Sequence, residues 1–396
     1  MAVGHGRLRR ALSTVDYRHR ALALCAAAYF GTRLGQVAVG PLVPAMRDAF
    51  GVSTGAVGAA TTGMWIAYAL VQVPSGVLAA RFGGRRVVLA ALACAGVASA
   101  ALAVAPTFAV VAVVVVGLGA GAGLYYNAGT ALLDREFDAV GPAIGLHRVG
   151  GQAAGLLAPA LVGLAVAVGG WRAGLSVGAA ATVPVAAVAA VGLRRTPPAG
   201  GRSTTVAARV GPALDRLRRP PLRRVVAVAT VGEFVGVAAR TFLPAYLLAT
   251  RSLGPGAVGA LFAGYFLAVG GVQPLAGWVT ERRSAATAAA LALGAGAVGV
   301  GLLVRGPTLA TAAGVALVGA ASGVATPMQT AALSRVPDDD RAVGFGAFRT
   351  VYVLLGASGS LVCGVLVDLA GWDAAFAALG ATLCVGVLVL GGGRGA

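Results

Sequence analysis

Three charged residues lie deep inside long apolar stretches of this chain, where an ionisable side chain is costly unless it is paired or faces water. Arg33 lies in the first of these stretches, and Glu233 and Arg240 lie together in a later one. A guanidinium group binds carboxylate or phosphate through two parallel hydrogen bonds, and a buried carboxyl group can take up and release a proton. These three residues are therefore the first candidates for binding chemistry in this chain.

Glu233 and Arg240 are seven residues apart, so on a helix they share one face at a separation of ~10 Å along the axis. We expect Arg33 and Arg240 to bind the substrate and Glu233 to carry the coupling proton. An alternative is that Glu233 and Arg33 form a purely structural ion pair, because buried charges usually occur in pairs.

Polar and aromatic side chains recur in the neighbouring apolar stretches. Gln36 shares a helix face with Arg33, and Trp65 and Tyr68 are one helical turn apart. Such groups suit a small organic solute, which they bind through hydrogen bonds and stacking. The other candidates for the same cavity are Tyr29, Gln72, Tyr125, Tyr126, Asn127, Tyr265, Gln273, Gln329 and Tyr352.

The elements that carry these residues are membrane-spanning helices. Apolar residues make up 58% of the chain and charged residues 11%, and a soluble chain of 396 residues with that balance could not cover its own surface. Twelve apolar runs are long enough to cross a ~30 Å hydrocarbon core, and none alternates like a barrel strand. The predicted spans are 21–45, 56–79, 87–105, 108–132, 143–168, 172–193, 225–249, 256–280, 285–304, 308–333, 343–367 and 373–391.

The second half of the chain repeats the first at an offset of 201 residues. The run at 55–59 returns at 256–260, and the Gly-Trp pair at 170–171 returns at 371–372. The repeat predicts an all-α membrane protein with two pseudo-symmetric six-helix bundles, and symmetric halves that rock about a shared central site are typical of transporters. The predicted divisions are an N-terminal segment at 1–20, bundles at 21–193 and 225–391, a linker at 194–224 and a C-terminal segment at 392–396.

The basic residues predict the orientation in the membrane. All of them are arginine, and with twelve spans 23 of the 31 fall in the termini, the linker and the loops of one side, against four in the loops of the other. This asymmetry predicts a multi-pass protein of the cell membrane with both termini cytoplasmic. It accounts for the formal charge of +18 without nucleic acid, and it makes anionic membrane lipids the expected partners of the arginines.

The loop after the second predicted span reads Gly-Val-Leu-Ala-Ala-Arg-Phe-Gly-Gly-Arg-Arg at 76–86 and resembles the signature loop of the major facilitator superfamily. The family's aspartate is replaced here by Ala80, whereas the second copy at 277–283 keeps an acid, Glu281. The resemblance implies alternating access and a cytoplasmic latch between the halves, although arginines at a helix end also set topology alone. The implied gating residues are Arg81, Arg85, Arg86, Glu281 and Arg282.

Arg148 and Arg349 occupy equivalent positions in the two repeats, near the expected cytoplasmic ends of the fifth and eleventh spans. Their symmetry predicts inner-gate partners for Asp134 or for the acids at 338–340. The alternative is that both side chains extend to the membrane interface. The missing acid at Ala80 further predicts a weakened latch and a resting state that faces inward.

An arginine on each of the matched first and seventh spans resembles the anion-binding pair of the superfamily's organophosphate and phosphate exchangers. We therefore expect a secondary-active transporter that moves a small organic anion with proton coupling, acting as a monomer. One alternative is a proton-driven exporter of drugs or lipophilic cations. Another is a transport-inactive membrane sensor, whose output surface would be the linker.

An enzyme is not expected. The only histidines are His5, His19 and His147, and no nucleotide-binding loop or nucleophile-base set is present in the sequence. The spacing of the cysteines fits no metal site, and we expect neither a metal nor a cofactor.

Overall fold

The computed structural model describes residues 2–137, 140–196, 211–337 and 341–391, and these residues form α-helices joined by short loops. The first half contains α1 (Ala2–Val37), α2 (Val43–Phe50), α3 (Thr54–Phe82), α4 (Gly84–Ala103), α5 (Phe108–Asp134), α6 (Val140–Leu175) and α7 (Val177–Gly192). The second half contains α8 (Pro220–Thr250), α9 (Pro255–Arg282), α10 (Ala285–Arg305), α11 (Thr311–Ala320), α12 (Ala325–Leu333), α13 (Arg341–Gly356) and α14 (Gly359–Gly391).

The helices account for the twelve predicted crossings. Ten stretches of the described residues are long and apolar enough to span a membrane. One of them, Val343–Gly391, holds two crossings separated at Gly371, and the shorter α7 supplies the remaining one. The first crossing is interrupted between α1 and α2, and the tenth between α11 and α12, where a 3-10 turn covers Ala321–Val324.

The repeat is visible in the backbone at Gly170 and Gly371, which lie 201 residues apart. Both have positive φ, 71° and 83°, a conformation that glycine adopts at little cost. Each glycine turns the chain between two crossings and is followed by a tryptophan that packs within its own half. Trp171 lies 5.6 Å from Phe50, and Trp372 lies 6.2 Å from Phe242, between ring centroids.

The helix ends that carry both described termini and the start of α8 form what we call the arginine-rich face. The other ends, where α2 meets α3 and α10 meets α11, form the opposite face. On the side of the opposite face the two halves are in close contact along α3 and α14. Gly58 leaves no room for a Cβ beside the carbonyl oxygen of Ser360, so small residues allow the two backbones to approach.

Hydrogen bonds reinforce this contact between the halves. Thr62 Oγ1 donates to the Ala357 carbonyl at 2.9 Å and accepts from the Leu361 backbone nitrogen at 3.1 Å. A second contact brings α6 against α9, where the ring of Phe266 fills the space beside Gly155. The two halves therefore meet along α3 with α13 and α14, and along α6 with α9.

Part of the linker is helical at 211–217, with Ala213 and Leu217 buried against the helix core. Linker residues 197–210, the acids at 338–340 and the C-terminal segment at 392–396 lie outside the described residues.

Candidate functional site

A cavity of about 150 Å³ lies between the two halves and takes its walls from both. A larger cavity of about 440 Å³ opens at the arginine-rich face, but residues of the second half alone line it. We therefore consider the smaller cavity, which is central, as the candidate site. Its polar lining is Tyr29, Arg33, Arg148, Gln152, Glu233, Arg240, Gln273, Ser322, Gln329, Arg349 and Tyr352.

Glu233 and Arg240 form an ion pair within α8. Arg240 Nη2 donates to Glu233 Oε1 at 2.6 Å, and the two side chains are only 21% and 12% exposed for Glu233 and Arg240 respectively. Their seven-residue spacing places both on one helix face, as the sequence predicts. The described partner of Glu233 is thus Arg240 on its own helix, and the alternative of a pair with Arg33 is not what forms.

Trp65 of α3 is buried behind the cavity wall and contacts both arginines that the sequence predicts to bind substrate. The guanidinium carbons of Arg33 and Arg240 are each 5.0 Å from the Trp65 ring centroid, so they are at most twice that distance apart. Both contacts have cation–π geometry. Arg33 Nη1 also donates to Gln36 Oε1 at 3.1 Å, which fixes the orientation of its guanidinium. The fold brings together one arginine from each half around one aromatic ring.

Arg349 of α13 also joins the two halves, through contacts with two tyrosines of the first half. Its Nη2 donates to Tyr68 Oη at 3.0 Å, and its guanidinium carbon lies 4.2 Å from the Tyr126 ring centroid. The rings of Tyr68 and Trp65 meet edge to face at 5.5 Å, so this contact adjoins the first. In the same wall, Gln329 Nε2 donates to Tyr352 Oη at 3.4 Å.

The structure corrects the position of Arg148 and Arg349. The sequence predicts both at the cytoplasmic ends of their spans, but each lies eight residues after its helix begins, ~12 Å along the axis, and lines the central cavity. The helices begin three and two residues before the predicted apolar runs, and the arginines lie a further five and six residues inside those runs. Of the acids predicted as gate partners, Asp134 is exposed and 338–340 lie outside the described residues.

Tyr125 is also corrected, because it packs inside the first half rather than facing the cavity. Its side chain is fully buried, its hydroxyl donates to the Cys25 carbonyl, and His147 Nε2 lies 3.0 Å from its Oη. Neighbouring residues on a helix point ~100° apart. Tyr126 therefore points to a different side of α5, where its ring contacts Arg349, and neither tyrosine is part of the cavity lining.

Three other predicted substrate-binding or cavity residues hold helices together. Asn127 Nδ2 donates to the Gln72 carbonyl at 2.6 Å, which joins α5 to α3. Gln273 lines the cavity but its Nε2 donates to a backbone carbonyl at 3.0 Å. Tyr265 is fully buried, and its ring lies beside Gly319 of α11. For Asn127 and Tyr265 the structure thus shows packing contacts and not an open cavity wall.

The predicted gating loop makes no hydrogen bond or ion pair between the halves among the residues that the structure describes. Arg81, Arg86, Glu281 and Arg282 are exposed. The guanidinium groups of Arg81 and Arg282 lie over the rings of Phe82 and Trp278, at 5.2 and 4.9 Å. Arg85 donates to the Ala190 carbonyl within the first half. The described part of the chain therefore shows no latch between the halves.

Asp368 of α14 is a polar link between the halves that sequence reasoning missed. Its Oδ1 accepts from the Thr54 backbone nitrogen at 2.9 Å, and its Oδ2 accepts from that of Gly55 at 2.7 Å. A carboxylate suits this place because the first turn of a helix presents unpaired N–H groups and a positive dipole end. The available signal was weak, since an acid near the end of a span is unremarkable on composition alone.

A model of the Major Facilitator Superfamily matches the chain at residues 25–254 and 230–392, which together cover most of its length. The chain belongs to the major facilitator superfamily. It is accordingly a multi-pass membrane protein and a secondary transporter for a small solute, with the twelve-helix fold described above. The predicted family membership and fold class are thereby confirmed. No sequence among the curated proteins matches the chain.

Solved structures of other superfamily transporters share the fold over almost the whole chain. A bacterial homologue of the human lysosomal transporter Spinster, inward-facing and unoccupied, has a TM-score of 0.77 at 15% identity, covering 94% of this chain and 95% of that one. The nucleoside transporter NupG, as an aspartate-to-alanine mutant, has 0.76 at 13%, covering 94% and 99%. The peptide transporter POT, as a glutamate-to-glutamine mutant, has 0.73 at 15%, covering 93% of each. At these identities the likeness shows the fold and leaves the substrate open.

Proposed function

We propose that this transporter moves a small organic anion together with a proton through the central cavity. The observation that carries the proposal is the Glu233–Arg240 ion pair beside Trp65, with Arg33 of the other half on the same ring. Two guanidinium groups from opposite halves give an anion contacts that persist only while the halves stay close around it. Such a site couples occupancy to the relative position of the halves.

Glu233 supplies the coupling. An incoming carboxylate or phosphate competes with Glu233 for Arg240, and its binding leaves the Glu233 carboxylate without its cationic partner. Protonation removes the uncompensated charge, so anion and proton enter the cavity together. Release of the anion restores the ion pair and expels the proton. The proposed mode of coupling is therefore symport, in which the anion and the proton bind together and are released together.

We also propose how the protein is oriented in the membrane. With the arginine-rich face in the cytoplasm, the described contacts between α3 and α14 lie on the external side, which supports our proposal of an inward-facing state. We propose a cell-membrane location with both termini cytoplasmic, a first six-helix bundle at 21–193, a second at 225–391, and a monomer as the transporting unit.

Flux into proteoliposomes tests the proposal. Radiolabelled organic anions are supplied under an imposed pH gradient to the wild type and to Arg33→Ala, Arg240→Ala and Glu233→Gln. Loss of anion flux in both arginine variants, and loss of the pH-gradient dependence alone in Glu233→Gln, would support it. Anion flux that survives both arginine substitutions would contradict it.

The proton-driven exporter of lipophilic cations is tested by the same vesicles. In that case Glu233 would bind the cation and the aromatic residues would stack on it. The arginines that line the cavity oppose this alternative, because they repel a cation. Cation efflux that needs Glu233 but not Arg240 would favour it. A transport-inactive sensor would give no flux of either kind.

A further inference from the structure

Four of the 31 arginines belong neither to the termini, linker and loops of the arginine-rich face nor to the loops of the opposite face. They are Arg33, Arg148, Arg240 and Arg349, and all four line the central cavity. Arginine at bilayer depth is costly and is normally paired or directed at a ligand. That all four meet in one cavity indicates that a ligand supplies counter-charge there.

The protein itself supplies little of that counter-charge. Among the described residues that line the cavity, Glu233 is the only acid, and it is paired with Arg240. Arg33 contacts the neutral groups of Gln36 and Trp65, and Arg349 contacts neutral tyrosines. Arg148 is exposed and is one of the residues that line the cavity. The cavity thus holds three more positive than negative side chains.

The excess charge is divided between two places. Arg33 and Arg240 both contact Trp65, whereas Arg349 lies against Tyr68 and Tyr126. Trp65 and Tyr68 are three residues apart on α3, ~4.5 Å along its axis, so the aromatic contacts of the two groups lie one helical turn apart. A single carboxylate at Trp65 would leave the Arg349 end of the cavity uncompensated.

We propose that the substrate is an organic dianion with one acidic group at each end. One acidic group binds between Arg33 and Arg240, the other binds at Arg349 with Arg148 beside it, and the neutral body lies in the cavity between them. Bidentate guanidinium contacts at both ends fix the length of the ligand as well as its charge. This inference rests on the proposed anion transport and specifies its substrate class.

Equilibrium binding to the purified full chain tests the inference. The probes are linear dicarboxylates of increasing length, each beside the half-amide of the same length, and a phosphate monoester that carries two charges at one end. We expect the best diacid to bind at least about tenfold more tightly than its half-amide, since one charge-assisted contact is lost. We also expect one length to bind best.

Variants locate the second acidic group. Arg349→Gln should bring the affinity for the diacid down to that for the half-amide, while the affinity for the half-amide changes little. Arg33→Gln should weaken both ligands. Arg305→Gln, the same substitution at an exposed arginine of the opposite face, should change neither. The comparison of diacid with half-amide on the wild type needs no variant, so it stands even where Arg349→Gln fails to fold.

The outcomes separate the two proposals. Equal affinity of the wild type for a diacid and its half-amide overturns the dianion and leaves anion transport standing. Tighter binding of the phosphate monoester than of every diacid overturns the two-ended arrangement, because both charges then lie at one end. Binding of no anion at all overturns the proposed function together with the inference.

Discussion

Asp368 binds the backbone nitrogen of Gly55 at 2.7 Å through its Oδ2, and this bond joins the second half of the chain to the first. The other carboxylate oxygen accepts from the neighbouring Thr54 nitrogen at 2.9 Å. The side chain thus caps a helix that belongs to the other half of the molecule. The contact exists only while the opposite face is closed.

Asp368→Asn should shift the protein toward states in which the opposite face is open. The amide keeps one acceptor and loses the charge, so closure loses about 1 kcal/mol at this exposed position. Spin labels at Val104 and Leu309, which are exposed on the opposite face in different halves, report the distance between them. The exposed Cys94 and Cys384 are first replaced by alanine so that only the two chosen positions are labelled. We expect a larger population of long label-to-label distances in Asp368→Asn than in the wild type.

The matched control is Asp48→Asn, the same change at an exposed acid of the opposite face. It should leave the label distances as they are. A distance distribution that is identical in Asp368→Asn and wild type would show that the cap does not hold the face closed.

Arg240→Ala should destabilise the protein through the charge it leaves behind. Glu233 would remain at 21% exposure without its partner, which costs about 3 kcal/mol for a buried pair. Thermal unfolding in detergent measures the effect. The double variant Glu233→Gln with Arg240→Ala should recover much of the loss in Tm, because no uncompensated carboxylate remains. If the loss of Tm in the double variant equals the sum of the losses in Glu233→Gln and Arg240→Ala, the two residues are not coupled.

Trp65→Leu should weaken anion binding without unfolding the protein. The substitution removes the ring that holds both guanidinium groups at 5.0 Å, and a cation–π contact of about 1 kcal/mol corresponds to roughly a fivefold rise in Kd. Trp65→Phe should have a smaller effect, because the phenyl ring still offers an aromatic face to the two guanidinium groups. The control is Trp278→Leu, which removes a half-exposed tryptophan beside the predicted gating loop. A Kd equal to that of wild type in Trp65→Leu would exclude a role for the ring.

Gly371→Ala should lower Tm although the site has space for a methyl group. No atom lies within 4 Å of the position of an added Cβ, but φ is 83°, so the whole cost is backbone strain of about 1–2 kcal/mol. Gly170→Ala should behave in the same way at its equivalent position. Gly163→Ala is the control, since it is equally uncrowded and has no positive φ. It should be neutral or slightly stabilising.

The sequence predicts the scaffold well because its signals are local and strong. Apolar runs of membrane length give the crossings, and the 201-residue offset anticipates the shared backbone turn at Gly170 and Gly371. The seven-residue spacing of Glu233 and Arg240 predicts their shared face, and their contact follows. These inferences need only the periodicity of an α-helix and the thickness of the membrane's hydrocarbon core.

The errors arise where depth or rotation decides. Arg148 and Arg349 are predicted at an interface because their helices are judged by the apolar run, whereas the helices begin earlier. Tyr125 is grouped with its neighbour, although rotation about the helix axis directs it toward Cys25. Asp368 is missed because its partners are backbone nitrogens of a helix 313 and 314 residues away in sequence.

Two of the contacts between the halves, at equivalent places in the repeat, differ in chemistry despite the duplication. The position equivalent to Asp368 is Ala167, and the contact of α6 with α9 adjoins an apolar cavity of about 280 Å³ with prolines from both halves, including Pro159 and Pro255. An apolar contact can slide without breaking directional bonds. The hydrogen bonds between Asp368 and the start of α3, in contrast, must break together. We therefore expect the halves to swing apart unevenly, with the α6–α9 side acting as the pivot and the α3–α14 side as the catch.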